Sequence, residues 1–444
     1  MTTDYWVDRP PLLITIFRLA STWGGVTALR LIGCLAVCLI VLGCARAAKL
    51  LAGDRASRWS AVTASALCVS PRLGGYEVNG ELLAAPFVVG GILAVITAVR
   101  TNERTYAACF AASAGVLATC AVLVKQNFAD VAVFGAVAFT LCWLQRDTTR
   151  RRFLLLSGAA IAGAAVALAL AAAWTMAHGT SLRAVYEAMY PFRIRAGHVI
   201  ASGASELASA RLDGLLKVAA TSGIGLLVVL AALDAVGRRR RGALSWALLV
   251  LLTFAVASVL LGGSYWHHYL LQLVVPVSVA AGVLAVERPW LGRPIVVYAA
   301  VVALVAWSAS LSSSQGSTGQ SVGEAIGAVS QPDDTIVNLY GSPDIVQASG
   351  LSSPYAYLWS LPIKTLDQDL TQLNAVLSAD TAPTWLVTRR SVRTWGLHTA
   401  ATKGVIDSRY RKVQTICDRT VYLRKGLQRA VPERSRTCPD APPA

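Results

Sequence analysis

The first segment of the chain that could do chemistry is Asp4-Tyr-Trp-Val-Asp8-Arg9-Pro10-Pro11. The two prolines fix their own φ angles and keep the residue before them out of helical geometry, so we expect Asp8 and Arg9 in an extended loop. A guanidinium can bind a phosphate through two parallel hydrogen bonds, and a carboxylate can take a proton from a hydroxyl group. The segment therefore predicts phosphate binding by Arg9 and base chemistry by Asp4 or Asp8. The structural alternative is a solvated Asp–Arg pair.

A second polar group lies where one apolar run ends and the next begins. It consists of Lys125, Gln126, Asn127 and Asp130. A cation and two amides could hold the phosphate of a donor or the polar groups of an acceptor. The Lys125 side chain could equally extend from a helix end to the membrane interface. We predict Lys125, Gln126 and Asn127 as substrate-binding residues, with both interpretations open.

The third group is a histidine pair flanked by aromatic residues, Trp266-His267-His268-Tyr269. Imidazole donates hydrogen bonds and can be neutral or charged near neutral pH, so one histidine could stabilise a departing phosphate. Zinc binding is disfavoured because adjacent residues on a helix point about 100° apart. Aromatic rings are common at the interface of any membrane protein. We predict His267, His268 and Tyr269 as substrate-binding residues.

A turn-rich loop before the third apolar run supplies further carboxylates, Glu77 and Glu81. Asn79 is a typical helix N-cap residue, which would place Glu81 in the first helical turn, where the helix dipole favours an anion. A role in substrate chemistry is the alternative. We predict Glu81 as a catalytic residue beside Asp4 and Asp8, with Glu77 as a further possible base.

The composition assigns the chain to the integral membrane proteins. Its 444 residues are 55% hydrophobic and 14% charged, and the mean hydropathy is +0.55. We therefore predict an α-helical polytopic membrane protein with about ten transmembrane helices. The candidate spans are 26–45, 59–71, 80–99, 106–124, 128–145, 153–177, 215–236, 243–262, 269–286 and 294–311.

The net charge of +16 is distributed unevenly over the loops. Sixteen Lys and Arg residues lie in alternate loops, at 45–58, 100–105, 145–152, 237–242 and 286–293. The positive-inside rule makes these loops cytoplasmic, so the arginine run at 238–241 is a topology anchor and nucleic-acid binding is not expected. All the polar groups above then lie on the outer face, whereas a transporter needs ionisable groups near the bilayer midplane.

The predicted outer loop 178–214 is amphipathic. Val185, Met189 and Phe192 recur at spacings of four and three, and Pro191 argues against one unbroken helix. We expect a segment that lies on the surface and contacts anionic membrane lipid through its basic residues.

Beyond residue 311 the apolar runs stop, so residues 1–311 form the predicted membrane domain. A Ser/Gly/Gln-rich linker at 312–322 leads into a small α/β domain at 323–431, expected to be extracytoplasmic, and a proline-rich tail at 432–444 is expected to be disordered. The predicted elements are strands at 335–340 and 384–387, a hairpin at 412–417 and 420–424, and a helix at 366–377.

Cysteine usage agrees with this orientation. Seven of the nine cysteines lie in apolar runs and are most simply packing residues. Cys417 and Cys438 remain on the predicted oxidising side, and we predict a disulfide between them. No Cys-x-x-Cys or Cys/His cluster has metal-ligand spacing, so no metal site is predicted and a requirement for a divalent metal stays open.

The segment Asp8-Arg9-Pro10-Pro11-Leu12 resembles the D-x-K-P-P-L signature of GT-C fold membrane glycosyltransferases. These are relatives of protein O-mannosyltransferases and lipid A aminoarabinose transferases. Three further stretches resemble segments that lie later in the sequences of that family. The third of these stretches is similar to the tail domain of actinobacterial members. The three stretches are Lys125-Gln126, His268-Tyr269-Leu270-Leu271 with Pro276, and Ser353-Pro354-Tyr355 with Leu358-Trp359-Ser360-Leu361-Pro362.

The resemblance implies inverting transfer of a sugar from a polyprenyl-phosphate donor to an acceptor hydroxyl of a glycan, lipid or protein, on the outer face of the plasma membrane. Arg9 occupies the position at which the family has a phosphate-binding Lys, and Asp8 is the acidic residue before it. Asp4 resembles an acidic residue of related sequences. The family's usual general base follows a first transmembrane helix, and we expect such a helix upstream of this sequence. The alternatives are a transporter of polyprenyl-linked glycans and an inactive relative that acts as a scaffold.

Overall fold

The computed structural model describes residues 5–203, 205–236, 242–311, 317–389, 391–433 and 438. The chain divides into two compact units. The membrane unit comprises Arg9–Met189 and Glu206–Leu311, and the second unit comprises Met1–Asp8, Tyr190–Ser205 and Ser312–Ala444. Besides the chain from Ser312 onward, the second unit includes two segments that were predicted to belong to the membrane domain.

Thirteen helices precede residue 312 in the part of the chain that the structure describes, and α8 is the one that lies in the second unit. They are α1 (Pro11–Trp23), α2 (Gly25–Val69), α3 (Gly80–Arg100), α4 (Arg104–Val124), α5 (Asp130–Leu144), α6 (Arg150–Ala177), α7 (Leu182–Met189), α8 (Pro191–Gly203), α9 (Ser205–Thr221), α10 (Ile224–Val236), α11 (Ala243–Leu261), α12 (Val274–Glu287) and α13 (Pro289–Leu311). Two 3₁₀ helices, Pro71–Leu73 and His267–Leu273, complete the membrane unit.

The protein is a polytopic α-helical membrane protein. Among the described residues, seven helices are long and apolar enough to cross a membrane, or eight if the bent pair Glu206–Thr221 and Ile224–Asp234 counts as one span. The prediction of about ten spans differs for two reasons. The first two predicted spans are the halves of α2, which is interrupted by non-helical backbone at Ala52 and Gly53, and α5, with 15 residues, is shorter than a full span.

Small residues allow the helices of the membrane unit to approach closely. A Cβ atom added to Gly115 of α4 would lie 1.9 Å from the carbonyl oxygen of Ala160 in α6, and one added to Gly163 would lie 2.0 Å from that of Ala112. Since lipid gives helices little hydrophobic reason to associate, such close backbone contact supplies much of the packing energy. Glycine at these two positions therefore fixes α4 against α6.

The second unit contains a four-stranded sheet among short helices. The elements are α14 (Thr318–Gly327), β1 (Ile336–Asn338), α15 (Asp344–Ser349), α16 (Ser360–Leu366), α17 (Thr371–Ser378), β2 (Trp385–Arg389), α18 (Ala400–Arg409), β3 (Tyr410–Ile416) and β4 (Arg419–Arg424). The strand order is β1-β2-β4-β3. The β1–β2 pair is parallel, and the other two pairs are antiparallel. The predicted strands and the closing hairpin are confirmed.

Two predicted elements of this unit differ from the structure. The helix expected at 366–377 is broken, because Leu370 adopts a left-handed conformation, φ 55°. The Asp367 carboxylate also accepts hydrogen bonds from the backbone N–H groups of Gln372 and Leu373, at 3.0 Å each, and so caps a new helix. The linker predicted at 312–322 ends early, because α14 already begins at Thr318.

The end of the chain is tied to this sheet. Cys417 and Cys438 form a disulfide, with Cα atoms 5.4 Å apart. Arg429 makes a two-point hydrogen bond to Asp334, at 2.7 and 2.9 Å. Burial alone would raise the pKa of Asp334, but hydrogen bonds from Arg429, Gln331 and Thr384 outweigh it and lower that pKa. In the predicted disordered tail 432–444, residues 434–437 and 439–444 lie outside the described residues.

Candidate functional site

A cluster of charged side chains lies at one end of the membrane unit, where α3 begins, α4 ends and the second 3₁₀ helix begins. We call Arg9, Glu81, Lys125, His268 and Tyr269 the polar cluster. Its centre is an ion pair of 2.8 Å between Lys125 Nζ and Glu81 Oε1, in which the Glu81 side chain is 3% exposed and that of Lys125 is 20% exposed. A carboxylate buried to this extent requires a positive partner, which Lys125 supplies.

Local sequence explains how Glu81 and Lys125 meet. Asn79 caps α3 by accepting a hydrogen bond of 2.9 Å from the backbone N–H of Leu82, which places Glu81 in the first turn as predicted. Gly80 leaves room for the lysine stem, because an added Cβ would lie 3.4 Å from Lys125 Cδ. The same position lies 3.6 Å from Leu13 of α1, so α1 starts beside the cluster.

His268 joins the cluster through a tight backbone turn. A Cβ atom on Gly74, which has a φ of +75°, would lie 3.1 Å from the Cβ atom of His268. Lys125 Nζ lies 5.3 Å from the centre of the Tyr269 ring, and the His268 and Tyr269 rings are 5.2 Å apart. The charges of Glu81, Lys125 and Arg9 all act on His268. Two cationic side chains and one imidazole from distant parts of the sequence therefore lie near the Glu81 carboxylate.

A second carboxylate, Glu77, lies in the loop that leads to α3. Its backbone N–H donates a 2.9 Å hydrogen bond to the carbonyl oxygen of Gly74, and its side chain is exposed. Desolvation and, second, the negative charge of Glu81 raise the pKa of Glu77 above its usual range. A raised pKa makes this carboxylate a better proton acceptor near neutral pH than an ordinary glutamate.

A hydrogen-bond network around the buried Gln272 side chain fastens the elements that carry Lys125 and His268. The Gln272 amide donates to Asp130 Oδ2 at 3.1 Å, and its oxygen accepts from Asn127 at 2.9 Å and from Ser258 at 3.0 Å. Asn127 also donates to the Ser258 hydroxyl, at 3.0 Å. The network connects the α4–α5 turn, α11 and the second 3₁₀ helix, so it sets the position of Lys125 relative to His268.

Solved structures share the architecture of this chain. ArnT from Cupriavidus metallidurans bound to undecaprenyl phosphate is 13% identical, with a TM-score of 0.60 over 94% of this chain and 88% of that chain. The oligosaccharyltransferase of Archaeoglobus fulgidus in complex with zinc and sulfate is 12% identical, with a TM-score of 0.52 over 87% of this chain and 60% of that chain. No protein-family model and no curated protein matches the sequence.

Both neighbours have the fold that the Asp8–Leu12 resemblance predicted. The chain has the GT-C fold. The resemblance based on scattered motifs is thereby confirmed at the level of fold.

Within this GT-C fold, some of the predicted site residues come together and others do not. Arg9, Glu81, Lys125, His268 and Tyr269 come together in the polar cluster. Asn127, expected to bind substrate, directs its amide to Ser258 and Gln272. His267 is oriented toward α9, where a Cβ on Gly214 would lie 3.2 Å from its Nε2 atom.

Asp8 belongs to the second unit, and Asp4 lies outside the described residues. The Asp8 side chain is 1% exposed and lies 2.9 Å from Arg193 of α8. Trp6 packs on Phe192 of the same helix, with ring centres 4.4 Å apart. Residues 5–8 are thus bound to α8, and the break before Pro191 that sequence predicted is the place where α8 begins.

Two polar atoms near the polar cluster have no hydrogen-bond partner within the described part of the chain. They are the Gln126 side-chain oxygen, an acceptor, and the Asn79 side-chain nitrogen, a donor, and both are buried. A buried unpaired donor or acceptor is costly, so a bound polar group at this end would relieve that cost. The substrate-binding role of Gln126 stays a prediction.

Sequence analysis missed Arg211 of α9, whose guanidinium stacks 4.2 Å above the Trp266 ring. The only signal was its position in the amphipathic loop 178–214. Within the described ranges, no group of three or more His, Cys, Asp and Glu side chains could hold a metal ion.

We expect the substitution Gln272→Leu to destabilise the membrane unit by about 2 kcal/mol, because it leaves Asp130 and Asn127 without their buried partner. The measurement is SDS-induced unfolding of the full chain in detergent. Ser278→Ala is the matched control, since the Ser278 hydroxyl is buried without a hydrogen-bond partner among the described residues. Equal stability of the two variants would show that the network does not hold these elements.

Proposed function

We propose that this protein is a membrane glycosyltransferase that moves a sugar from a polyprenyl-phosphate donor to an acceptor hydroxyl at the extracytoplasmic face. Two structures with the same fold support the lipid-borne donor. ArnT is bound to undecaprenyl phosphate, and another structure of the Archaeoglobus fulgidus oligosaccharyltransferase is in complex with a dolichol-phosphate.

The observation that carries this proposal is the gathering of Arg9, Lys125 and His268 around Glu81. The leaving group of such a transfer is a phosphate monoester, whose negative charge grows as its bond to the sugar breaks. Cations held in place before the reaction stabilise that charge without reorganising. Glu81 holds Lys125 in position before the donor binds. The donor phosphate would then contact Lys125 together with Glu81.

The side chains at this end of the membrane unit can serve each step of the transfer. The acceptor oxygen attacks the anomeric carbon, the bond from that carbon to the phosphate oxygen breaks, and the polyprenyl phosphate leaves with the electron pair. The proton of the hydroxyl passes to a carboxylate. Glu77 suits this role best because it is exposed and has a raised pKa. Glu81, predicted as a catalytic residue, is assigned instead to positioning Lys125.

The transporter alternative requires a polar path through the helices. Among the described residues of the membrane unit, the fully buried carboxylates are Glu81 and Asp130. Both lie in the first turn of a helix, α3 or α5, and both are near the polar cluster. This one-sided distribution favours a transferase over a transporter.

We expect Lys125→Ala to weaken binding of undecaprenyl phosphate about tenfold or more, because a hydrogen bond from a charged group to the phosphate is lost. The measurement is titration of the purified full chain with this lipid. Lys49→Ala is the matched control, because Lys49 forms an exposed ion pair of 2.5 Å with Asp54 at the other end of the unit. Unchanged binding by the Lys125 variant would exclude its role in holding the phosphate.

The raised pKa of Glu77 predicts a pH dependence of sugar transfer. A base must be deprotonated to work, so the rate should fall as the pH falls through a pKa above the usual range for glutamate. Glu77→Gln should lower the rate at least about a hundredfold and remove this acid limb. The measurement is a pH–rate profile of membranes supplied with labelled polyprenyl-phosphate sugars. An acid limb that persists in an active Glu77→Gln variant would assign the base to another carboxylate.

A further inference from the structure

A second charged pocket lies at the opposite end of the membrane unit. Its lining is Arg55, Arg58, Trp59 and Val62 of α2 and Arg293 of α13, and its volume is about 540 Å³. We call it the arginine pocket. None of its residues belongs to the polar cluster or to the network that supports it.

The backbone of α2 explains why these side chains share one face. The helix restarts after Gly53, which has a φ of +83°, a conformation that glycine adopts without strain. From there, Arg55, Arg58, Trp59 and Val62 follow the i, i+3, i+4, i+7 pattern of a single helix face. The two guanidinium groups therefore point to the same side as the tryptophan ring.

Arg293 completes the pocket from the first turns of α13. Its Nε atom donates a 3.2 Å hydrogen bond to the carbonyl oxygen of Ala285, and its guanidinium carbon lies 5.9 Å from the centre of the Trp59 ring. The backbone contact fixes the stem of Arg293 beside the ring. The other guanidinium nitrogens stay available for a further acceptor.

The three arginines concentrate positive charge, and none of them forms an ion pair with a described carboxylate. No described carboxylate lies within 4.0 Å of Arg55, Arg58 or Arg293, and all three side chains are exposed. The neighbouring acid, Asp54, is bonded to Lys49 at 2.5 Å. A group of guanidiniums around an aromatic ring favours an anion with several oxygen atoms, such as a phosphate.

Apolar surface continues from the pocket along both helices. Val62 is 43% exposed, and Val297 and Val301, four and eight residues beyond Arg293, are 49% and 52% exposed. Trp290, one turn before Arg293, is 72% exposed. Tryptophan prefers the membrane interface, and the valines lie where acyl chains would run. The charged pocket is thus continuous with an apolar surface on the adjoining helices.

The arginine pocket and the polar cluster face different leaflets. From Gly53 to Val69 the second half of α2 extends about 24 Å, and the loop that follows contains Gly74, against which His268 packs. The positive-inside rule predicts that the arginine end faces the cytoplasm, where anionic phospholipids attract basic side chains.

We propose that the arginine pocket binds the phosphate of an anionic phospholipid headgroup in the leaflet opposite to the polar cluster. Arg55, Arg58 and Arg293 hold the phosphate, Trp59 packs beside the glycerol region, and Val62 contacts an acyl chain. This lipid is distinct from the donor lipid, because it binds at the other end of the membrane unit.

The test is native mass spectrometry of the full chain in detergent, titrated separately with phosphatidylglycerol, phosphatidylcholine and inorganic phosphate. The triple variant Arg55→Gln, Arg58→Gln, Arg293→Gln should bind phosphatidylglycerol about tenfold or more weakly than the original chain. The triple variant Arg104→Gln, Arg150→Gln, Arg151→Gln is the matched control. It removes the same charge from exposed residues at the same end, and it should bind phosphatidylglycerol as the original chain does.

Other outcomes would overturn the proposal. Equal phosphatidylglycerol binding by the original chain and both triple variants would exclude the pocket, and equal loss in both triple variants would show that only net charge matters. Binding of inorganic phosphate as tight as that of phosphatidylglycerol would assign the pocket to free phosphate. If the pocket variant does not fold, Arg58→Gln alone serves, with an expected loss of about fivefold.

Discussion

The arrangement of the membrane unit depends on one buried ion pair, that of Glu81 with Lys125. A carboxylate with 3% exposure at the end of an apolar bundle is tolerated only with a cation beside it. The pair joins the start of α3 to the end of α4 and brings the lysine beneath the Tyr269 ring. Arg9 adds positive charge near it, and His268 adds an imidazole ring that can donate a hydrogen bond. Two cations and a hydrogen-bond donor held together in this way suit a site that receives a phosphate.

The surrounding helices hold the side chains of the polar cluster in place. Gly74 and Gly80 allow His268 and Lys125 to approach the loop before α3, and Asn79 fixes the start of that helix. The Asp130, Gln272 and Asn127 side chains connect the α4–α5 turn to the second 3₁₀ helix. Preorganised charge of this kind is most effective when its supports are rigid. At the other end of the unit, the arginine pocket gathers charge around Trp59 with no comparable carboxylate.

Much of the fold could be predicted from sequence because it depends on local patterns. Long apolar runs predict the spans, Asn79 predicts the cap of α3, and alternating residues at 412–424 predict the closing hairpin. Leu370 shows where local patterns fail, since the Asp367 carboxylate ends the helical periodicity by capping a new helix. Hydropathy likewise does not reveal that the first two predicted spans belong to one element, α2, which is interrupted by non-helical backbone at Ala52 and Gly53.

The candidate site could be predicted only in part. Residue type and position on the predicted outer side selected Arg9, Glu81, Lys125 and His268, but sequence did not define which of these side chains contact one another. Asn127 shows the limit most clearly, because its amide bonds Gln272, which is 145 residues away. Arg211 was missed for the same reason, since its contact with Trp266 requires the three-dimensional packing of α9.

The central claim is that the polar cluster binds the phosphate of a polyprenyl lipid. The most direct measurement is crosslinking of the full chain in membranes with undecaprenyl phosphate that carries a photoreactive group next to its phosphate, followed by peptide mapping. We predict adducts in residues 74–81, 125–126 and 268–269. Adducts confined to residues 55–62 and 289–297, at the arginine pocket, would contradict the account.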